Sequence, residues 1–184
     1  MIVSPHYEEF PSYTRIESNH VEGGIYSRKV LKDKVYKKLL YDPSLGRWPI
    51  AANCWNKLFK RDLVFGRQMA VDEEITDGED HAFVFPAMLD ASSIYFTDDI
   101  FYHHRIRSDS VSLSLSPSIF IHFAHLYSFL HDTFTKSDYW DILKDQFPYH
   151  MRCFLFKYCN ELLGIRLADD RNMAKAYIFP FDMI

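Results

Sequence analysis

Glycine is scarce in this chain. Six glycines in 184 residues leave little material for a phosphate-cradling loop, and the one adjacent pair, Gly23-Gly24, lacks the spacing such a loop needs. Cysteine is scarcer still. Cys54, Cys153 and Cys159 are odd in number and form no Cys-x-x-Cys pair, which excludes a disulfide scaffold and favours free thiols in a reducing compartment. A net charge of -4 supplies no basic excess and argues against a nucleic-acid partner. The first twenty residues show no charged segment followed by an apolar run, and no apolar stretch approaches the ~20 residues that span a bilayer. The expectation is a cytoplasmic protein without a transmembrane segment, at most peripheral to the inner membrane face. Repeats and low-complexity stretches are also absent.

What the chain does have is material for a core. Hydrophobic residues make up 48% and aromatics 17%, with 16 Phe and 12 Tyr, so a disordered chain is excluded. The length suits one domain, or the second half of a larger domain with an appendage. Residues 1–115 mix strand and helix signals, whereas 116–184 read as an α-helical extension, which gives an α/β half followed by a helical tail. Ile2-Val3 fits a strand. Leu31, Val35, Leu39 and Leu40 recur at helical spacing and predict an amphipathic helix over Arg28–Tyr41, closed by the turn residues Asp42-Pro43-Ser44-Leu45-Gly46. Ala51–Phe59 is ambiguous and is placed at a strand-to-helix junction. A helix from Glu79 should reach about Leu89, with Pro86 kinking or stopping it. Ile94-Tyr95-Phe96 predicts a short buried strand. After Ser116-Pro117-Ser118, the spacing of Ile119, Phe123, Leu126, Leu130 and Phe134 predicts a long helix, followed by others broken at Pro148.

The chemistry concentrates at Gly78-Glu79-Asp80, between an acidic loop (Asp72, Glu73, Glu74, Asp77) and the apolar run Ala82-Phe83-Val84-Phe85. An aspartate in the first turn of a helix sits among unpaired N–H groups that favour its ionised form, as a general base for a hydroxyl nucleophile requires. The ordinary alternative is that Asp77 to Asp80 cap the helix. Upstream stands Asn53-Cys54-Trp55-Asn56-Lys57-Leu58-Phe59-Lys60-Arg61-Asp62. Downstream, Tyr102-His103-His104-Arg105-Ile106-Arg107-Ser108-Asp109-Ser110 follows the Ile94 strand.

In that order, over Ile2 to Ser114, these segments resemble the acceptor-side, C-terminal half of a family 2 inverting glycosyltransferase of the GT-A type. The resemblance implies half of a Rossmann-like mixed-sheet domain, with Asp80 as base and Glu79 beside it. It implies acceptor contacts from Trp55, Asn56 and Lys57, although a lysine head in water is the ordinary state. It also implies a loop of His103, His104, Arg105, Arg107 and Ser110 over the donor diphosphate, with His104 as a metal ligand. On a strand only one of the two histidines can face the site.

The family's Asp-x-Asp segment, which holds manganese or magnesium against the nucleotide sugar, has no counterpart here. The expectation is therefore a truncated catalytic domain of polysaccharide synthesis that binds no metal and transfers no sugar alone. Nucleotide sugar and glycan acceptor would be partners of the complete enzyme. The alternative is a non-catalytic module that self-associates through an uncovered sheet, as a homo-oligomer, or binds carbohydrate. His122, His125 and His131 lack the tight spacings of a zinc site and read as the polar edge of a helix.

Overall fold

A computed structural model of the protein describes residues 1–107 and 119–162. The fold is mixed α/β. Seven short strands form two mixed sheets, one in the order β4-β6-β1-β5 and the other β3-β2-β7. The strands are β1 (Ile2–Val3), β2 (His6–Glu9), β3 (Thr14–Glu17), β4 (Gly24–Ser27), β5 (Lys57–Leu58), β6 (Ser93–Phe96) and β7 (His103–Arg105). The helices are α1 (Arg28–Lys34), α2 (Arg61–Gln68), α3 (Glu79–Asp90), α4 (Ile119–Thr135), α5 (Trp140–Leu143) and α6 (Phe147–Leu162).

The two sheets are joined by strands that run side by side. β1 lies parallel to β6, and β2 lies parallel to β7, so the chain leaves the first sheet for the second between β1 and β2 and again between β6 and β7. Pro5 lacks the N–H that would continue a ladder, which suits it to that break. Ser4 beside it is buried, with its N–H on the Asn56 carbonyl at 3.1 Å and its hydroxyl 2.7 Å from the Asp99 carbonyl. The crossing point is thereby pinned to both neighbouring loops.

Helix periodicity locates the elements better than it locates their ends. Leu31, Val35, Leu39 and Leu40 are all buried, but α1 stops at Lys34 and a 3-10 turn over Tyr36–Lys38 carries the last of them inward. The turn expected next is present, with Asp42 Oδ1 accepting from the Ser44 N–H at 2.9 Å. Pro86 does not stop α3, which continues to Asp90. Ala82 through Leu89 are buried without a break, and packing on every side of the helix outweighs one missing hydrogen bond. Pro148 likewise breaks nothing: it is the second residue of α6, where its absent N–H would have had no partner. The Ile94 strand is buried on one face only, with Ile94 and Phe96 inside and Tyr95 exposed. The expected long helix is present as α4 over Ile119–Thr135, while its expected start at Ser116-Pro117-Ser118 lies outside the described residues.

The helical tail and the α/β half share one core. Leu126, Leu130, Phe134, Phe147, Met151 and Phe154 pack in the same cluster as Val3, Leu31, Phe85 and Ile94. Gln146 bolts the two parts together by accepting from the Leu40 N–H at 3.0 Å and donating to the Tyr36 carbonyl at 2.8 Å. His150 adds a third link with Nδ1 on the Leu40 carbonyl at 3.0 Å. Among the described residues, no helix is long and apolar enough to cross a membrane.

Candidate functional site

The turn Cys54-Trp55-Asn56-Lys57 lies where the two sheets meet and reaches in both directions. Its closing bond runs from the Lys57 N–H to the Cys54 carbonyl at 3.2 Å. The expectation of a lysine head in water is corrected here, because Lys57 is 5% exposed. Its ammonium donates to the carbonyls of Ala51 at 2.5 Å and Asn53 at 2.7 Å, and to Asn56 Oδ1 at 2.7 Å. Three N–H groups meet three acceptors, so this head holds the loop's shape and has nothing left to offer a sugar hydroxyl. Burial pushes its pKa down to about 7, against the pull of Cys54 and Asp80, which favour the charged form.

Asp80 is on the other side of this turn. The helix α3 opens at Gly78, in the left-handed region at φ 87°, with Glu79 and Asp80 as the acids of its first turn. Glycine is required for two reasons: the positive φ, and the approach of Leu126, whose Cδ2 would lie 2.5 Å from an added Cβ. Leu126 belongs to α4, so the tail sets where α3 begins. Asp80 is half-buried, not projected freely outward. Burial first, and then the neighbouring Asp80 carboxylate, push the Cys54 thiol well above the ordinary thiol range. Glu79 is exposed beside it.

The second arm of the turn is aromatic. Trp55 stacks on Tyr102 with ring centroids 4.3 Å apart, leans on His104 at 5.0 Å and meets His6 edge-on at 4.6 Å. Asn56 is fully buried, donates from Nδ2 to the Ser4 carbonyl at 2.9 Å, and lies 3.4 Å from His6 Nδ1. Trp55 and Asn56 thus position two imidazoles. Burial, and then the nearby charges of His104, Lys57 and Arg15, lower the His6 pKa to about 4, so its ring is neutral at physiological pH.

The register of the second sheet decides which polar side chains meet. Glu8 stands opposite Arg15 on one neighbour and His104 on the other, and His6 shares their face at two residues' remove. Ligating atoms of His6, Glu8 and His104 all lie within 4.8 Å of one another. His103 and Arg105 belong to the opposite face, where His103 Nδ1 is 2.6 Å from Glu9 Oε1 and its ring lies against Tyr7. Only one of the paired histidines looks toward Trp55, as strand alternation requires, and the His103–Arg107 group does not converge. Arg107 is exposed at the far end of β7, and Ser110 lies outside the described residues.

The sequence reading missed His6, Glu8 and Cys54. The first two carried a signal, since His6-x-Glu8 places both on one face of any strand. Cys54 carried none, because its partner Asp80 is far along the chain.

A cleft of about 810 Å³ opens elsewhere, lined by Arg28, Arg67, Asp90, His125, Asp132 and Lys136 among others. None of the residues above lines it. Arg67 contacts Asp90, His125 contacts Asp72 and Lys136 contacts Asp132 there. The turn gathers Trp55 and two imidazoles beside buried Asn56 and Lys57, which makes it the better candidate. The helix histidines agree with their expected place at a polar edge: His122 Nδ1 is 2.8 Å from the Glu74 carbonyl, and His131 stacks on Tyr127. No protein-family profile, curated protein or solved structure matches the chain.

Proposed function

We propose that this chain forms the acceptor side of a sugar transferase of the GT-A type, with Asp80 as the base that takes the acceptor hydroxyl proton. The observation that supports this reading most is the packing of Phe59 on Phe83, ring centroids 5.1 Å apart, which joins the Asn53–Asp62 segment to the helix that opens at Gly78-Glu79-Asp80. In the reaction, the hydroxyl proton moves to an Asp80 oxygen as the hydroxyl oxygen forms its bond to the sugar's anomeric carbon. The diphosphate leaves from the opposite face with the electron pair of the broken bond. Trp55, which is half-buried, shapes the approach, while the buried Asn56 and Lys57 act through the loop they hold.

The family's hard cation does not fit here. No Asp-x-Asp pair occurs, and His103 and Arg105 lie on the face of β7 opposite His104, so these side chains do not converge on one ion. Calorimetry with nucleotide sugars and manganese should show little or no binding to this chain, and submillimolar binding would overturn the donor-side assignment. In a preparation that transfers sugar, Asp80→Asn should cut turnover by roughly 10²–10⁴ with an unchanged circular dichroism spectrum. Retained turnover removes Asp80 from the role.

One observation favours a second reading, self-association. Ile25, Tyr95, Ile2 and Leu58 stand in one row across all four strands of the first sheet. Ile25 is 79%, Leu58 56% and Tyr95 41% exposed, on the face opposite the buried Val3, Tyr26, Ile94 and Phe96. Such a row suits a second copy of the chain packed sheet on sheet. Sedimentation should detect a dimer that Ile25→Lys dissociates, and a monomer at all concentrations contradicts this.

A further inference from the structure

We infer that His6, Glu8 and His104 form a binding site for a divalent transition ion of the zinc, cobalt or nickel class. The inference is independent of the sugar-transfer reading, and it rests on the placement of three side chains by two adjacent strands. On β2, His6 and Glu8 point to one face because they are two residues apart. Parallel pairing sets His104 of β7 directly beside Glu8. The potential ligand atoms fall within 4.8 Å of each other, a separation that small side-chain rotations close around one ion.

The donor set selects the ion. Two imidazoles and one carboxylate suit borderline ions that accept nitrogen, and they leave positions open for water or a further ligand. Magnesium, which prefers an octahedron of oxygens, is excluded by the same set. Trp55 restricts both rings, meeting His6 edge-on at 4.6 Å and lying along His104 at 5.0 Å. Arg15 engages Oε2 of Glu8 and leaves Oε1 for the ion. A ligand from each of two strands also means that an occupied site ties β2 to β7.

Trp55 reports on occupancy. Cobalt or nickel added to the whole chain should quench its emission, and Trp55→Phe should remove the quenched component while Trp48 and Trp140 remain. Zinc should displace the cobalt at one ion per chain and raise the melting temperature. His104→Ala and Glu8→Gln should each weaken the affinity at least tenfold and abolish the zinc-dependent rise in melting temperature, and His125→Ala should change neither. Absence of binding to the wild-type chain at millimolar ion overturns the proposal. So does affinity that survives both substitutions, or that falls with His125→Ala instead.

Discussion

The start of α3 and the polar face of the second sheet both gather ionisable side chains, yet they hold them by different means. At α3 the carboxylate of Asp80 is placed by packing: Gly78 admits Leu126 and Phe154, and the whole helix behind it is buried. On the sheet, His6, Glu8 and His104 are placed by ladder register between short, half-exposed strands. Packing fixes a position through many contacts at once and fails all at once. Register fixes it through a few main-chain bonds and tolerates changes in any one side chain. The contrast teaches that a group meant to stay put is best anchored to the core.

The sharpest way to break the contrast is at its anchor. Gly78→Ala combines a disfavoured φ with a clash against the fully buried Leu126, and should cost about 3–4 kcal/mol in urea unfolding. A cost near zero would mean that α4 does not set the start of α3. Acid gives the next largest effect. His150 lies under this helix with Nε2 3.4 Å from His81 Nδ1, and burial lowers its pKa to about 4. The unfolded chain therefore takes up a proton there that the folded chain refuses. Its contribution is complete above pH 6.5, and roughly 3 kcal/mol is lost as the pH falls through about 4. Unfolding measured along that range should show this slope, reduced in His150→Gln.

Gln146→Ala should cost about 2 kcal/mol, because it strips partners from the Leu40 N–H and the Tyr36 carbonyl inside the core. The sheet answers last and least. Arg15→Ala removes a half-exposed ion pair with Glu8 and should change stability by less than about 1 kcal/mol. A larger loss would show that sheet and core are held alike.

The same distinction explains what could be read from the sequence. Periodicity exposed the buried set that runs from Leu31 to Leu40 and that of α4, because those signals are local, whereas the strand expected to be buried at Ile94-Tyr95-Phe96 is buried on one face only. Pro86 did not stop its helix because a helix buried all round is stabilised by its surroundings. Lys57 was misjudged for a related reason: its three acceptors come from the fold of a loop, and lysine by itself reads as surface. Gly78 was recognised at a helix start, but its real constraint comes from Leu126, a residue of the tail. His104 was singled out from its own segment, whereas its neighbours His6 and Glu8 depend on a pairing between the chain's opening and β7. Residues brought together by long-range register leave no mark in either segment alone.

The account stands on sugar acceptors reaching Asp80. Amide chemical-shift mapping of the labelled protein with a panel of mono- and oligosaccharides tests it most directly. The account predicts shifts at Cys54, Asn56, Glu79 and Asp80 that Asp80→Asn alters. Shifts confined to the cleft around Arg67 and His125, or none at any sugar concentration, would contradict it.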